Sequence, residues 1–431
     1  MKIINIKDDN FKEVFGSIKA RAKSDIKNVN DIVAKLILEV CEQGNEALKK
    51  HISSFDKWNP KSDDELEVSQ SDIKKAYEDL EPNLKNALHC AYDRIKTYHE
   101  KQVPKSWLDF EKNGNVLGQK ITPVQRAGLY IPGGKAAYPS SLLMNAIPAL
   151  VAKVEEISVC TPAINGKVNE LLLAACYLCK IKKVYKVGGA SAIASLAYGT
   201  KTIKKVDVIT GPGNIFVATA KKQVYGEVNI DMIAGPSEIG ILSDKSANPA
   251  YLAIDLLSQA EHDEMASALM ITTSEDLAKK TAQELENKLK NLKREDIARV
   301  SIQERGYIIV CENDMKSAVE LMNEIAPEHL ELMVKNPFEL LPKIKNAGAI
   351  FLGEFTPEAI GDYVAGPNHT LPTGGTAKFY SPLGVENFVK KSSIISFSKE
   401  GIEEVADACM SLARAEGLGA HEESVKIRLQ K

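Results

Sequence analysis

The sequence predicts an α/β protein built on two parallel sheets, and three observations carry that expectation. The chain has 431 residues, too many for one hydrophobic core. Short β-branched runs alternate with helix-length apolar segments, first from about 140 and again after about 238. Between the two series the turn AGPSE, residues 234–238, resets the pattern. Parallel neighbours need a crossover, and a helix is its usual form.

The elements follow in order. NDIVAKLILEVCEQGNEALKK places apolar residues at 32, 33, 36, 37 and 40, a helical stripe, and SQSDIKKAYEDL opens on Ser71 as a capping residue. After Pro104, NVLGQKITPVQRAGLYIPGG reads as short strands and turns. The first series then runs SSLLMNAIPALVAKV to EEISVC, NELLLAACYLCK to KKVYKVGG, ASAIASLAYG to VDVITG, and NIFVATAKKQVYG to VNIDMI. The second runs through IGILSD, YLAIDLLSQAEH, SALMITT, a charged helix over about 275–294, GYIIVC, MKSAVELMNEIA, HLELMV, PFELLPKIKN and AGAIFLG. Open parallel sheets bind ligands beyond the carboxyl ends of their strands, so chemistry is expected at the junction of the two series. Residues 354–384, dense in Gly and Pro yet rich in apolar and aromatic side chains, read as a long functional loop. A strand SSIISFS, a helix over 401–416 and a charged helix close the chain.

Composition narrows the partners. Apolar residues make up 44% and charged residues 26%, the balance of a globular protein, and the net charge of −3 offers no basic field for nucleic acid. The segment SSLLMNAIPALVAKV is too short for a membrane span and is broken by Pro148, and the charged start is unlike a secretory signal, so the expected address is cytoplasmic. Seven scattered cysteines fit reduced thiols, and Cys176 and Cys179, inside LLLAACYLCK, read as packing residues of a buried helix. A small-molecule substrate is favoured.

The polar chemistry collects late in the chain. His51, His89 and His99 lie on charged helical segments and read as solvated surface residues. His262, His329, His369 and His421 instead have carboxylate or amide company: Gln259 and Glu261, Glu328, Asp362 and Glu416. In DLLSQAEH, Gln259 and His262 stand one helical turn apart and so share a face. Imidazole, carboxylate and amide donors without thiolate suit Zn²⁺ and admit Mn²⁺ or Co²⁺. Glu328 and His329 are neighbours, and on a regular strand they would point to opposite faces; they share a site only if Pro327 keeps Glu328 in a turn before the strand. The chain has no G-x-G-x-x-G, but VGGASAIASLAYGT (187–200) and ITGPGNIFVA (209–218) each run from strand through glycine into helix, where free N–H groups and the helix dipole attract a pyrophosphate.

Taken together, RAGLYIPGG, TGPGNIFV, AGPSEI, DLLSQAEH, NEIAPEHLEL, GDYVAGPNHTLPTGGTAKFYSPLGV and EGLGAHEESVKIRL resemble the histidinol dehydrogenase family over nearly the whole chain. That resemblance implies two Rossmann-like parallel-sheet domains with small helical N- and C-terminal extensions. Its bounds are an extension at 1–25, a discontinuous catalytic domain at 26–129 and 239–384, an NAD-binding domain at 130–238, and a dimer-exchange domain at 385–431. It implies oxidation of L-histidinol through L-histidinal to L-histidine with two NAD⁺, the last steps of histidine biosynthesis, and one Zn²⁺ per subunit of a homodimer with shared sites. The implied metal ligands are Gln259, His262, Asp362 and His421, and the substrate completes the coordination. Ser237, His329, His369 and Glu416 match substrate contacts, Glu328 and His329 the acid/base pair, and Tyr130 and Asn214 the cofactor contacts. One position departs: the family pattern has Gln where this chain carries Ser191, a shorter side chain that reaches a ligand through water. The competing readings are a related NAD-dependent dehydrogenase of another small alcohol, a metal-dependent hydrolase and a non-catalytic zinc-stabilised binding protein.

Overall fold

The computed structural model describes residues 1–21, 26–133 and 138–429. Strand β1 (Lys2–Asn5) opens the chain, and helices including Phe11–Lys19, Ile26–Gln43, Asn45–Phe55 and Pro82–Glu100 follow. β2 (Trp107–Phe110) and β3 (Val116–Pro123) come next. Then β4 (Arg126–Tyr130), β5 (Glu156–Cys160), β6 (Lys183–Tyr185), β7 (Val208–Thr210) and β8 (Asn229–Ile230) alternate with helices. β9 (Glu238–Ser243), β10 (Ser267–Thr272), β11 (Gly306–Val310), β12 (His329–Met333) and β13 (Ala349–Leu352) do the same before β14 (Val389–Ser396) and two C-terminal helices.

Both expected series close into parallel sheets. The first forms a five-stranded sheet in the order β6-β5-β4-β7-β8 and the second a six-stranded sheet in the order β1-β11-β10-β9-β12-β13. In each, the series winds outward on one side of its first strand and then returns to the other side, the order of doubly wound nucleotide-binding sheets. The topological switch therefore lies between β4 and β7 in one sheet and between β9 and β12 in the other. The N-terminal segment is no free extension, because β1 pairs with β11 from Lys2↔Tyr307 to Asn5↔Val310.

The six-stranded sheet is apolar on both faces, as a parallel sheet covered by helices must be. Ile239, Ile241, Met270 and Ile308 pack with helix Pro249–Ala260 on one face, and Leu242, Ile271, Leu330 and Leu332 pack with helices Phe11–Lys19 and Met315–Ile325 on the other. Helices Ile26–Gln43 and Asn45–Phe55, grouped by sequence with the catalytic domain, instead place Val33, Ile37, Leu48 and Ile52 against Ile193, Ala197 and Val217 over the five-stranded sheet. From the predicted stripe, Ile32 stays half exposed. The helix Gln70–Glu78 is capped by Ser69, not Ser71: the Ser69 hydroxyl accepts from Asp72 N–H at 3.1 Å. Cys176 and Cys179 are buried, and burial pushes the Cys179 thiol up to about 12, in keeping with a packing role. No helix among the described residues is long and apolar enough to cross a membrane.

The chain divides into two compact units, one of Met1–Gln102 with Gln125–Phe388 and one of Val103–Val124 with Val389–Lys431. The first holds both parallel sheets. The second is an antiparallel sheet in the order β14-β3-β2 with helices Lys399–Ala415 and Gly419–Lys426. Residues 116–123, placed by sequence in the catalytic domain, thus pair with the C-terminal segment, Lys390 opposite Thr122 and Ile394 opposite Gly118, and residues 107–110 pair with them on the other side.

Candidate active site

Register sets the site. On the six-stranded sheet Ile239, His329 and Ala349 lie side by side, so β9, β12 and β13 begin at one level. The expectation that chemistry sits beyond carboxyl strand ends fails for this sheet: its polar cluster gathers at the amino ends. Helix Pro249–Ala260 explains part of this, since it returns antiparallel to β9 and brings its last turn, with Gln259, back to the amino edge.

Pro327 resolves the neighbour problem as the sequence required. Helix Met315–Ile325 ends on Ala326 in the left-handed region, and β12 starts only at His329, so Glu328 stands before the ladder. Close approach fixes the turn: a Cβ on Gly348 would lie 2.5 Å from the Glu328 carbonyl oxygen. Both side chains then address one residue. Glu238 donates its backbone N–H to Glu328 Oε2 at 2.8 Å, and its carbonyl lies 3.0 Å from His329 Nδ1. A carbonyl can only accept, so Nδ1 carries a proton. His329 Nε2 is buried without a hydrogen-bond partner, 3.7 Å from Asp362 Oδ1.

The carboxylates around this ring shift one another. Burial pushes the Glu328 carboxyl up to about 8. Burial works against a charged His329, but Glu358 and Glu328 outweigh it and hold the imidazole well above its ordinary value. Burial likewise opposes ionised Asp362, yet His329, His369 and His262 hold it below the usual range. His369, half buried, donates Nδ1–H to the Asp362 backbone carbonyl at 2.9 Å.

Gln259 is fully buried between these groups and His262. With its amide oriented to satisfy both ends, the nitrogen donates to Glu358 Oε1 (3.0 Å) and the Glu238 carbonyl (3.1 Å), and the oxygen faces His262 Nδ1 at 3.2 Å. Gln259, His262, Asp362, His329, His369 and Glu328 thus converge, with half-buried Ser237 next to Glu238. His421 and Glu416 lie in the second unit, exposed on its C-terminal helical segment. His329, Asp362 and His369 line a cavity of about 980 Å³ with Tyr98, Phe351 and Tyr380.

Sequence reasoning missed several of the groups that hold this site. Ligand atoms of Glu358, Asp362 and His329 lie within 4.8 Å of one another. Glu358 and Asp362 are four apart on the short helix Glu358–Tyr363, a spacing that was legible but hidden by Pro357 and Gly361. Glu331, two residues after His329 and on the same strand face, accepts from Glu358 N–H at 2.9 Å and anchors that helix. Arg21 grips the Glu238 carboxylate with two bonds of 2.7 Å, and Gly374 N–H adds a third at 3.0 Å. Both side chains are at most 6% exposed, so removing one strands the other. Arg21→Ala is expected to lower stability to urea by about 3–5 kcal/mol. A loss below about 1 kcal/mol, the value of an exposed pair, would contradict this account.

The cofactor candidates sit at carboxyl ends of the five-stranded sheet. Tyr130 ends β4, is buried, and accepts from Gly189 N–H at 3.2 Å. Asn214 caps helix Ile215–Val224, accepting from Phe216 and Val217 N–H, which leaves its amide hydrogens for a ligand. Gly211, before it, has φ of +121°, and a Cβ there would lie 1.9 Å from the Tyr130 carbonyl. The loop is clamped from both sides: Asp231 accepts Gly211 N–H at 2.8 Å and Lys221 Nζ donates to the Gly211 carbonyl at 3.0 Å, the two forming a buried ion pair. Ser191 is also buried. His51 and His99, expected at the surface, are buried as well, because the face a helical histidine presents depends on which element packs there.

Comparison with known proteins agrees with this arrangement. The family model for histidinol dehydrogenase matches residues 19–429. The histidinol dehydrogenase of Sulfurimonas denitrificans is 64% identical over 425 residues, 99% of each chain. That of Wolinella succinogenes is 62% identical over 429 residues, covering 100% of this chain and 99% of the relative. The crystal structure of histidinol dehydrogenase from Elizabethkingia anophelis superposes with a TM-score of 0.92 at 34% identity, covering 100% of this chain and 98% of that one. A doubly wound pair of sheets with this polar cluster, matched end to end by such relatives, places the chain in the histidinol dehydrogenase family of oxidoreductases.

Proposed function

We propose that this chain oxidises L-histidinol through L-histidinal to L-histidine, with two NAD⁺ as hydride acceptors. The observation that carries the reading is His329 Nε2: buried and unpartnered, on a ring that lines the cavity and is aimed by a fixed bond from Nδ1. That nitrogen takes the hydroxyl proton once the ring has lost its own Nε2 proton, which Glu358 and Glu328 oppose, so the first oxidation gains rate as pH rises. Glu328, held on the Glu238 N–H, takes a proton from the water that adds to the aldehyde. Each turnover consumes the alcohol, two NAD⁺ and one water, and yields the carboxylate, two NADH and three protons. Helix starts at Gly189 and Ile215, with open space where a Gly189 Cβ would sit, fit a dinucleotide phosphate.

The donor set of Gln259 amide oxygen, His262 and Asp362 fits a zinc ion, having nitrogen and oxygen atoms and no thiolate. Zinc there would supply positive charge that holds the substrate. His421, exposed in the second unit, is assigned to the same ligand set, contributed by a second copy of the chain together with Glu416.

Two measurements test the reading. Purified protein given histidinol and NAD⁺ should form NADH in the ratio of two per histidine produced; metal-dependent hydrolysis without NADH would overturn it. Chelation should stop oxidation while leaving the circular dichroism and melting temperature nearly unchanged, because both sheets have apolar cores of their own. Added zinc should restore the rate, and loss of the fold on chelation would make the metal structural.

A further inference from the structure

Both members of the acid/base pair lean on the main chain of Glu238: its N–H reaches Glu328 Oε2 at 2.8 Å and its carbonyl accepts from His329 Nδ1 at 3.0 Å. Where Glu238 sits therefore sets where they sit. The β9–β12 ladder begins one residue later, with Ile239 opposite His329, so Glu238 and Glu328 stand ahead of its first rung. Their approach depends on what holds each backbone from behind.

Arg21 supplies that hold at both places. Its Nε and Nη2 donate to the two carboxylate oxygens of Glu238 at 2.7 Å each. Nη2 also donates to the carbonyl of Ile325 at 3.1 Å, and Nη1 to that of Ile18 at 3.2 Å. Ile325 ends helix Met315–Ile325, three residues before Glu328. One planar fork thus ties the start of β9 to the turn that carries Glu328. The fork is itself held, because Arg305 Nη1 donates to the Arg21 backbone carbonyl at 3.1 Å. The Glu238 carboxylate also takes Gly374 N–H at 3.0 Å, which brings in the segment that carries Asp362 and His369. With the side chains of Arg21 and Glu238 only 6% and 3% exposed, water competes little for these bonds.

We propose that Arg21 is a positioning residue for the acid/base chemistry: by joining Glu238 to Ile325 it fixes the separation of the two backbone segments from which Glu328 and His329 act. Arg21 lies outside the lining of the 980 Å³ cavity, so it acts through the backbone it holds. Proton transfer needs heavy atoms at hydrogen-bond distance, and a misplacement of about 1 Å caused from outside the reacting groups lowers a rate about 10²-fold. Lysine cannot replace it, because a point charge on a flexible stem cannot engage two carboxylate oxygens and a carbonyl in one plane. The inference rests on the assignment of Glu328 and His329 given above.

The test compares Arg21→Lys, Arg21→Met and the charge-free pair Arg21→Met/Glu238→Gln in the full chain with zinc supplied, each assayed well below its melting temperature. Arg21→Lys and Arg21→Met should lower kcat about 10²-fold and leave the KM for NAD⁺ within about twofold of the unaltered protein, since the cofactor candidates belong to the other sheet. The charge-free pair should regain much of the melting temperature that Arg21→Met loses, because no carboxylate is left buried and unpaired. Its kcat should stay low, because no fork remains. Arg21→Lys keeps a positive charge beside Glu238 and carries the test if Arg21→Met does not fold. A merely structural role predicts a near-normal kcat in every variant that is folded during the assay, or a kcat that recovers with the melting temperature in the charge-free pair. Either result, with the unaltered protein active, would overturn the inference alone. Failure of the unaltered protein to form NADH from histidinol would overturn the acid/base reading beneath it.

Discussion

Glu328→Gln is expected to lower steady-state turnover by about 10²–10⁴-fold without unfolding the protein. The fold survives because a glutamine oxygen can still accept the Glu238 N–H that Glu328 accepts at 2.8 Å. Chemistry does not survive, because an amide cannot take a proton from water. His329 is intact in this variant, so the first oxidation remains open and rapid mixing should show at most about one NADH per site before the rate collapses. His329→Asn should abolish that first equivalent as well. Burial gives the pH dependence its sign. Glu328 is pushed up to about 8 and must be ionised to act as a base, so the limiting rate should rise with pH through the region below about 8 and level off above it. Retention of full turnover by Glu328→Gln would remove the assigned base.

The second large effect concerns His421. Alone, His421→Ala should be nearly inactive, although the residue is exposed in the second unit. Mixed with Glu328→Gln under conditions of subunit exchange, it should regain about a quarter of the unaltered activity. Half of the randomly formed dimers pair one variant with the other. In each, one site combines an intact Glu328 with an intact partner tail and the other carries both defects. No recovery from two inactive parents would mean that His421 serves the site of its own chain. An active His421→Ala would remove it from the ligand set altogether.

These effects also separate what each level of description supplies. DLLSQAEH, NEIAPEHLEL and GDYVAGPNH named Gln259, His262, Glu328, His329, Asp362 and His369, and the structure brings them together. Both parallel sheets were legible because alternation of β-branched runs and helices is a local pattern, and burial of a repeating face leaves a periodic mark on the sequence. Sequence pattern did not show that the cluster lies at amino strand ends, since that depends on which helix returns to which edge. It also did not show Arg21 as the clamp on Glu238, 217 residues away along the chain. Nor did it show His51 behind Ser191, 140 residues on.

The sequence by itself determined the two sheets, the chemical types of the site and the family of relatives. Only the tertiary structure decided which carboxylates surround His329, which of its nitrogens is held by the Glu238 carbonyl, and which side chains stand behind Ser191. The physical reason is that residue type and spacing act over one or two turns of backbone. Desolvation and charge, in contrast, are summed over every neighbour that packing brings near, whatever its distance along the chain.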